Sequence, residues 1–267
     1  MELSVGNRVQ MPTLESEALE IPVLAFGKGW IAVDKPAGIT IHNESGRDLC
    51  SMASALIQKE TAILKQVGMD RNFGVNPVHR LDKETSGVVL LALSREAFRF
   101  LSAQFESRHV RKQYIAILHG YLEKKDESGS WGTWSWALAK SAGGRRNPEG
   151  AGERQDSVTL YRVLDHSPHY TMVEIELLSG RTHQIRRHAK LSGHPVVGDA
   201  RYGTARAINY IKRNCGFDRL ALHARSLAIC LPGGKEPQTI EAPIIPGTMR
   251  DLFQNDTAGG KDGIRTG

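Results

Sequence analysis

His79-Arg80-Leu81-Asp82-Lys83-Glu84-Thr85-Ser86-Gly87 runs without a break into Val88-Val89-Leu90-Leu91-Ala92-Leu93, and Ser94 then opens a stretch with Ala97, Phe98 and Leu101 at helical spacing. The continuous, partly β-branched apolar run predicts a buried strand. Ser94 can cap a helix through its side-chain oxygen, so a helix is predicted from Ser94 to about Phe105. The turn before the strand packs five ionisable or imidazole side chains into six positions, His79 to Glu84. A loop feeding a strand is a common place to present a catalytic group.

Working outward, Trp30-Ile31-Ala32-Val33 reads as a short strand ended by Asp34-Lys35-Pro36-Ala37-Gly38, and Arg47 to Val67 carries apolar residues at helical spacing before a loop from Gly68 to Asn76. Downstream, Lys112 to Tyr121 is a strand, Val158 to Leu164 and Tyr170 to Leu178 are paired strands, Arg181 to Leu191 is a basic helix, and Leu222 to Leu231 is a late strand. Strands outnumber helices and do not alternate with them, which argues against doubly wound and barrel α/β folds. The expectation is one α+β catalytic domain over residues 21–255 with a mixed sheet. Residues 1–20 read as an irregular lead-in and residues 256–267 as a disordered tail. The segment 124–154 is Gly-, Ser- and Arg-rich with Trp131, Trp134 and Trp136 at its centre, and its stretch Ala142 to Gly150, too polar to pack, is expected to be a flexible basic loop.

The chain has 267 residues, 40% hydrophobic and 24% charged, which is ample for a folded core and excludes disorder as the default. Its net charge of +6 suits a polyanionic partner without specifying one. Three scattered cysteines, Cys50, Cys215 and Cys230, form no CxxC pair, which argues against a structural zinc site or a disulfide-stapled secreted domain. The acidic start lacks a signal-peptide pattern and no apolar run reaches the roughly 20 residues of a membrane span, so a cytoplasmic location is expected.

Three segments carry candidate chemistry. Asp82 stands between Arg80 and Lys83, whose charges favour its ionised form, and an ionised carboxylate can serve as a nucleophile; a solvated charged turn is the plainer alternative. Ser179-Gly180-Arg181-Thr182-His183-Gln184-Ile185-Arg186-Arg187-His188 gathers basic and polar groups near a helix N-terminus, where anions are favoured; an ordinary basic helix face is the alternative. His183, His188 and Asp199 invite a metal reading, but the histidine spacing matches no helical ligand pair, so no metal is expected. In the third segment, Lys112 and Tyr114 share one face of a strand and Ile115 and Ile117 the other.

Taken together, Asp34-Lys35-Pro36-Ala37-Gly38, His79-Arg80-Leu81-Asp82 with Thr85-Ser86-Gly87, Lys112-x-Tyr114-x-Ala116, Gly180-Arg181-Thr182-His183-Gln184-Ile185-Arg186 with Gly193-His194-Pro195 and Gly198-Asp199, and Leu222-His223-Ala224 resemble the ordered motif set of the RluA family of RNA pseudouridine synthases. The resemblance spans about residues 22–246. It implies a cofactor-free isomerase acting on uridine in structured RNA, ribosomal or transfer, on a mixed, mostly antiparallel sheet with flanking helices and a central cleft. Asp82 matches the family's catalytic aspartate, Tyr114 the tyrosine that lies against the base and moves a proton, and Arg181 the arginine that pairs with the aspartate. Arg80 matches a residue that helps displace the uridine from its stack. His79 and Lys112 join it as substrate contacts, and Arg145, Arg146, Arg186, Arg187 and Lys190 are candidates for gripping the RNA backbone. The short lead-in implies that the extra N-terminal RNA-binding module of many relatives is absent. RNA is the expected partner and a monomer the expected state. Two rival readings remain: a catalytically silent RNA-binding protein of the same fold, and an RNA hydrolase.

Overall fold

The computed structural model describes residues 13–16, 19–59, 66–125, 130–242 and 245–262. Its centre is the expected strand, β5 (Ser86–Ala92), in which every residue is buried. Val89, Leu91 and Leu93 face one apolar cluster and Val88, Leu90 and Ala92 another. That two-sided burial is why the run is continuous rather than alternating. Truncating Leu91, which has no exposed surface, to alanine is expected to cost about 2–5 kcal/mol.

Around β5 the chain builds an 11-stranded sheet. One half holds β1 (Thr13–Ser16), β2 (Leu19–Gly27), β3 (Trp30–Lys35) and β4 (Asn76–Pro77), with β3 and β4 antiparallel to β5. Helix α1 (Leu49–Lys59) covers one face through Leu49, Ala53 and Ile57. Helix α2 (Arg95–Glu106) lies on the other through Leu101, and Ser94 caps it by accepting from the Ala97 N–H at 3.2 Å.

The second half holds β6 (Arg111–His119), β7 (Gly132–Trp134), β10 (Thr159–His166), β11 (Tyr170–Leu177), β12 (Leu222–Cys230) and β13 (Pro237–Glu241). Its order from β5 is β12, β6, β11, β10, β7, with β13 also on β12. The core of this half joins Ile115 and Ile117 of β6 and Val173 and Ile175 of β11 to helices α3 (Gln184–Leu191) and α5 (Gly247–Asp262). Helix α4 (Ala205–Cys215) adds Ile211 to that core. β8 (Leu138–Ala139) and β9 (Arg154–Gln155) form a separate ribbon. No helix among the described residues is long and apolar enough to cross a membrane.

The halves meet where β5 and β12 run parallel over two residue pairs, His223 with Ser86 and Ala224 with Gly87. Gly87 sits at φ +115°, and a Cβ there would collide with the Ala224 backbone. The close approach therefore requires glycine. It leaves the loop before β5, with Asp82, in the cleft between the halves.

Three expectations are corrected. The lead-in is not wholly irregular: β1 pairs antiparallel with β2 in register from Thr13–Pro22 to Ser16–Leu19, while residues 1–12 lie outside the described residues. The tail is helical to Asp262, and Asp256 accepts from Ser167 Oγ at 2.5 Å and the His169 N–H at 2.9 Å; residues 263–267 lie outside the described residues. The stretch 142–150 is no flexible loop but is tied down, as is the described part of segment 124–154 around it. Trp134 is 3% exposed and stacks on Tyr161 at 4.6 Å, and the fully buried Arg187 donates to the carbonyls of Pro148 (2.5 Å), Ala139 (3.0 Å), Thr182 (3.2 Å) and Glu149. A segment too polar for an apolar core is thus folded around a guanidinium that satisfies its backbone.

Candidate active site

Asp82 lies on the loop that enters β5, and the loop is held by its own backbone and by the Asp34-Lys35-Pro36-Ala37-Gly38 turn. The Asp82 carbonyl accepts from the Thr85 N–H at 3.1 Å, and the Lys83 carbonyl from the Gly38 N–H at 2.8 Å. Lys35, fully buried, donates its ammonium to Lys83 O (3.1 Å), Pro36 O (2.9 Å) and Ile39 O (2.8 Å), which uses all three of its hydrogens. Burial pushes its pKa down to about 7 against the pull of Asp82 and Glu84.

The carboxylate of Asp82 is 25% exposed and takes a charge-assisted hydrogen bond from Arg186 Nη1 to Oδ2 at 3.1 Å. Arg186 is placed by a fork on Asp199, through Nε (2.7 Å) and Nη2 (2.9 Å). Asp199, with no exposed side-chain surface, is itself fixed by the backbone N–H groups of Arg201 (2.9 Å) and Tyr202 (3.0 Å). Burial opposes the charge on Arg186, yet the hydrogen bonds and charges of Asp199 and Asp82 outweigh it and raise the guanidinium pKa. The other carboxylate oxygen, Oδ1, is approached by His183 Nε2 at 3.8 Å, while His183 Nδ1 meets the Tyr202 hydroxyl at 3.1 Å. Burial draws the imidazole pKa below its ordinary value.

Tyr114, on β6 and 7% exposed, completes the base of the cleft. Burial first, and then the charge of Asp82, raise its phenol pKa, so the hydroxyl is protonated at neutral pH. The cavity above these groups is about 850 Å³ and is lined by Arg80, Asp82, Tyr114, Arg181, His183 and Leu222 among others. That volume suits a nucleotide-sized occupant. A fixed carboxylate with one oxygen largely free, beside a protonated phenol, can attack an electrophilic carbon and pass a proton across the same site.

The sequence-selected residues divide. Asp82, Tyr114, Arg80, Lys112, His79 and Arg181 all line the cleft. Arg181 does not pair with Asp82: the helix starts at Gln184, after a left-handed His183 at φ 53°, and the Gln184 side chain instead accepts from the Arg181 backbone N–H at 3.0 Å. Arg186, two residues into the helix, takes the position expected for Arg181. It is 3% exposed and bound to three carboxylates, Asp82, Glu84 and Asp199, so it is no free RNA-backbone contact. Arg187 is likewise withdrawn into segment 139–150, and Lys190, half-buried in the last turn of α3, does not line the cleft.

His79 is held inside. Its Nε2 accepts from the Leu90 N–H at 2.9 Å, its ring stacks on Phe105 at 4.9 Å, and burial lowers its pKa to about 3. Arg145 and Arg146 line a separate depression with Arg201. Lys35, His183 and Asp199 stand in the quoted motifs, the last two weighed only as metal ligands, so the sequence did not reveal their part in placing Asp82. The Gly198-Asp199 motif was visible, but its partner comes only with the fold.

A model of RNA pseudouridylate synthases matches residues 29–191. The chain is 35% identical over 236 residues to a tRNA pseudouridine synthase C of Haemophilus ducreyi, covering 84% of this chain and 91% of that protein. It is 33% identical over 218 residues to a ribosomal large subunit pseudouridine synthase C of Vibrio vulnificus, covering 80% of this chain and 62% of that one. Among solved structures, human RNA pseudouridylate synthase domain containing 1 superposes with a TM-score of 0.63 at 26% identity, covering 86% of each chain. The motif order in the sequence, the mixed sheet split by its cleft, and these matches agree, and the chain belongs to the RluA family of RNA pseudouridylate synthases, isomerases that act on uridine in RNA.

Proposed function

We propose that this protein isomerises uridine to pseudouridine within structured ribosomal or transfer RNA, with Asp82 as the nucleophile and residues 21–255 as the catalytic unit. The reaction breaks the bond from uracil N1 to ribose C1′, turns the base and forms a bond from C5 to C1′; C5 loses a proton and N1 gains one. Nothing is oxidised and no water is consumed, so the balance calls for no cofactor, and the protein is proposed to act as a cytoplasmic monomer. Asp82 serves attack at the anomeric carbon, attack at uracil C6, or a route through a glycal. In each, Arg186 holds and aims the carboxylate through its hydrogen bond, and Tyr114 lies against the base and relays the proton. Arg80, exposed at the cleft and without an ion pair among the described residues, helps to displace the uridine from its stack. That extrusion costs a few kcal/mol. The choice of RNA class follows the names of the two bacterial relatives.

The observation that carries this reading is the Asp82 carboxylate held by Arg186 at 3.1 Å at the base of a nucleotide-sized cleft. The test is release of tritium from RNA labelled at uridine C5, with the chain length followed in parallel. Tritium release with intact RNA is expected, and Asp82→Asn should abolish it while RNA binding is kept. Tyr114→Phe should bind RNA and turn over slowly. Chain cleavage would instead support a hydrolase, and an Asp82→Asn rate within tenfold of wild type would remove the nucleophile assignment.

A further inference from the structure

On the α2–β6 side of the cleft stand cations with no acidic partner. Arg108 is exposed, Lys112 is half-buried, and Arg181 buries its Nε without a hydrogen-bond partner. All three line the cavity. Among the described residues none forms an ion pair, whereas the adjacent Arg111 is neutralised by Glu176 at 2.8 Å. The Lys112 ammonium lies 3.7 Å from where a Cβ on Gly180 would stand, which brings it beside the turn that delivers Arg181. Burial and the charge of Arg108 both lower the Lys112 pKa. Glu106 shares this rim without pairing to any of the three. Like charges held this close repel one another in the free protein, and a polyanion relieves the repulsion.

The backbone adds a second observation. Arg108 sits at φ +60°, just past the Ser107 C-cap of α2, where its N–H donates to Phe105 O at 3.3 Å and the His109 N–H donates to Gln104 O at 3.0 Å. This left-handed position after a helix usually takes glycine. An unfavourable conformation kept at a cleft is a pointer to use of the side chain.

We propose that Arg108, Lys112 and Arg181 form a cradle for the RNA phosphodiesters flanking the extruded uridine, separate from the Asp82–Arg186 chemistry. The proposal rests on the reading that RNA enters this cleft. It is tested with a fluorescently labelled short oligouridylate, whose affinity is measured between about 50 and about 200 mM salt. Arg108→Gly, Lys112→Gln and Arg181→Gln are each expected to flatten the log–log salt slope by about 0.7, so that the rise in Kd over that range shrinks about 2.6-fold per contact. Arg213→Gln, on the exposed last turn of α4 away from the cleft, should keep the wild-type slope. Arg108→Gly should also hold or raise the thermal midpoint, because glycine adopts the left-handed conformation freely. An Arg108→Gly slope equal to that of Arg213→Gln, or a lowered midpoint, overturns the cradle. A wild-type protein that neither binds the oligouridylate in a salt-dependent way nor releases tritium overturns the reading beneath it.

Discussion

Arg186→Lys is the sharpest perturbation of the site, because it keeps the charge and removes the shape. The guanidinium spends Nε and Nη2 on Asp199 at 2.7 and 2.9 Å and Nη1 on Asp82 at 3.1 Å and Glu84 at 3.3 Å. An ammonium is a point charge that can neutralise one carboxylate but cannot hold Asp199 with a planar fork while reaching Asp82. Losing one charge-assisted bond to the fully buried Asp199 costs about 1.5–3 kcal/mol. That is a tolerable fraction of a typical 5–15 kcal/mol total. Arg186→Met leaves buried charge unpaired and should cost about 3–5 kcal/mol. For the chemistry, losing one preorganised donor typically lowers the rate by about 10²–10³, and the Lys variant should fall in that range. Single-turnover tritium release at saturating enzyme, urea unfolding and equilibrium RNA binding separate the effects. A Lys variant within a fewfold of the wild-type rate and at full stability would refute the pairing. So would Arg181→Lys falling as far in rate as Arg186→Lys.

Two further predictions concern what holds the site in place. Burial lowers the pKa of His79 to about 3 and those of His188 and His223 to about 4. The unfolded chain therefore takes up protons first, and stability present above pH 6.5 should fall as the pH drops towards 4 and then 3. His79 alone should account for up to about 5 kcal/mol of that loss. His79→Gln, whose amide oxygen can still accept from the Leu90 N–H, should show a flatter urea midpoint against pH; an unchanged slope would mean that His79 is charged in the fold. Arg187→Met removes the guanidinium donors from four backbone carbonyls, of which Glu149 O keeps the Ala139 N–H at 2.8 Å, and should cost about 3–5 kcal/mol. It should also open a protease cut between Ala142 and Gly150, and resistance equal to wild type would count against the guanidinium as the organiser of that segment.

The sequence by itself determined what depends on neighbours along the chain. The apolar run of β5 marks a strand buried on both faces, Ser94 marks the start of α2, and the alternation in Val158 to Leu164 and Tyr170 to Leu178 marks the β10–β11 pair. The ordered motifs also brought Asp82 and Tyr114 to notice. Weaker local signals were missed: β2 carries Pro22 and a register shift between Val23 and Ala25, and α4 has one buried residue, Ile211. The role of each cation was decided by the tertiary structure alone. Arg181, Arg186 and Arg187 are indistinguishable as text, since a guanidinium has the same charge and donors wherever it stands. One is left without a partner at Nε, one bridges Asp82 and Asp199, and one is enclosed by backbone carbonyls. The difference comes from the left-handed His183, which delays the helix to Gln184, and from partners as far as 104 residues away in the chain. A buried charge is stable only where those distant groups converge on it, and that convergence is a property of the packed fold.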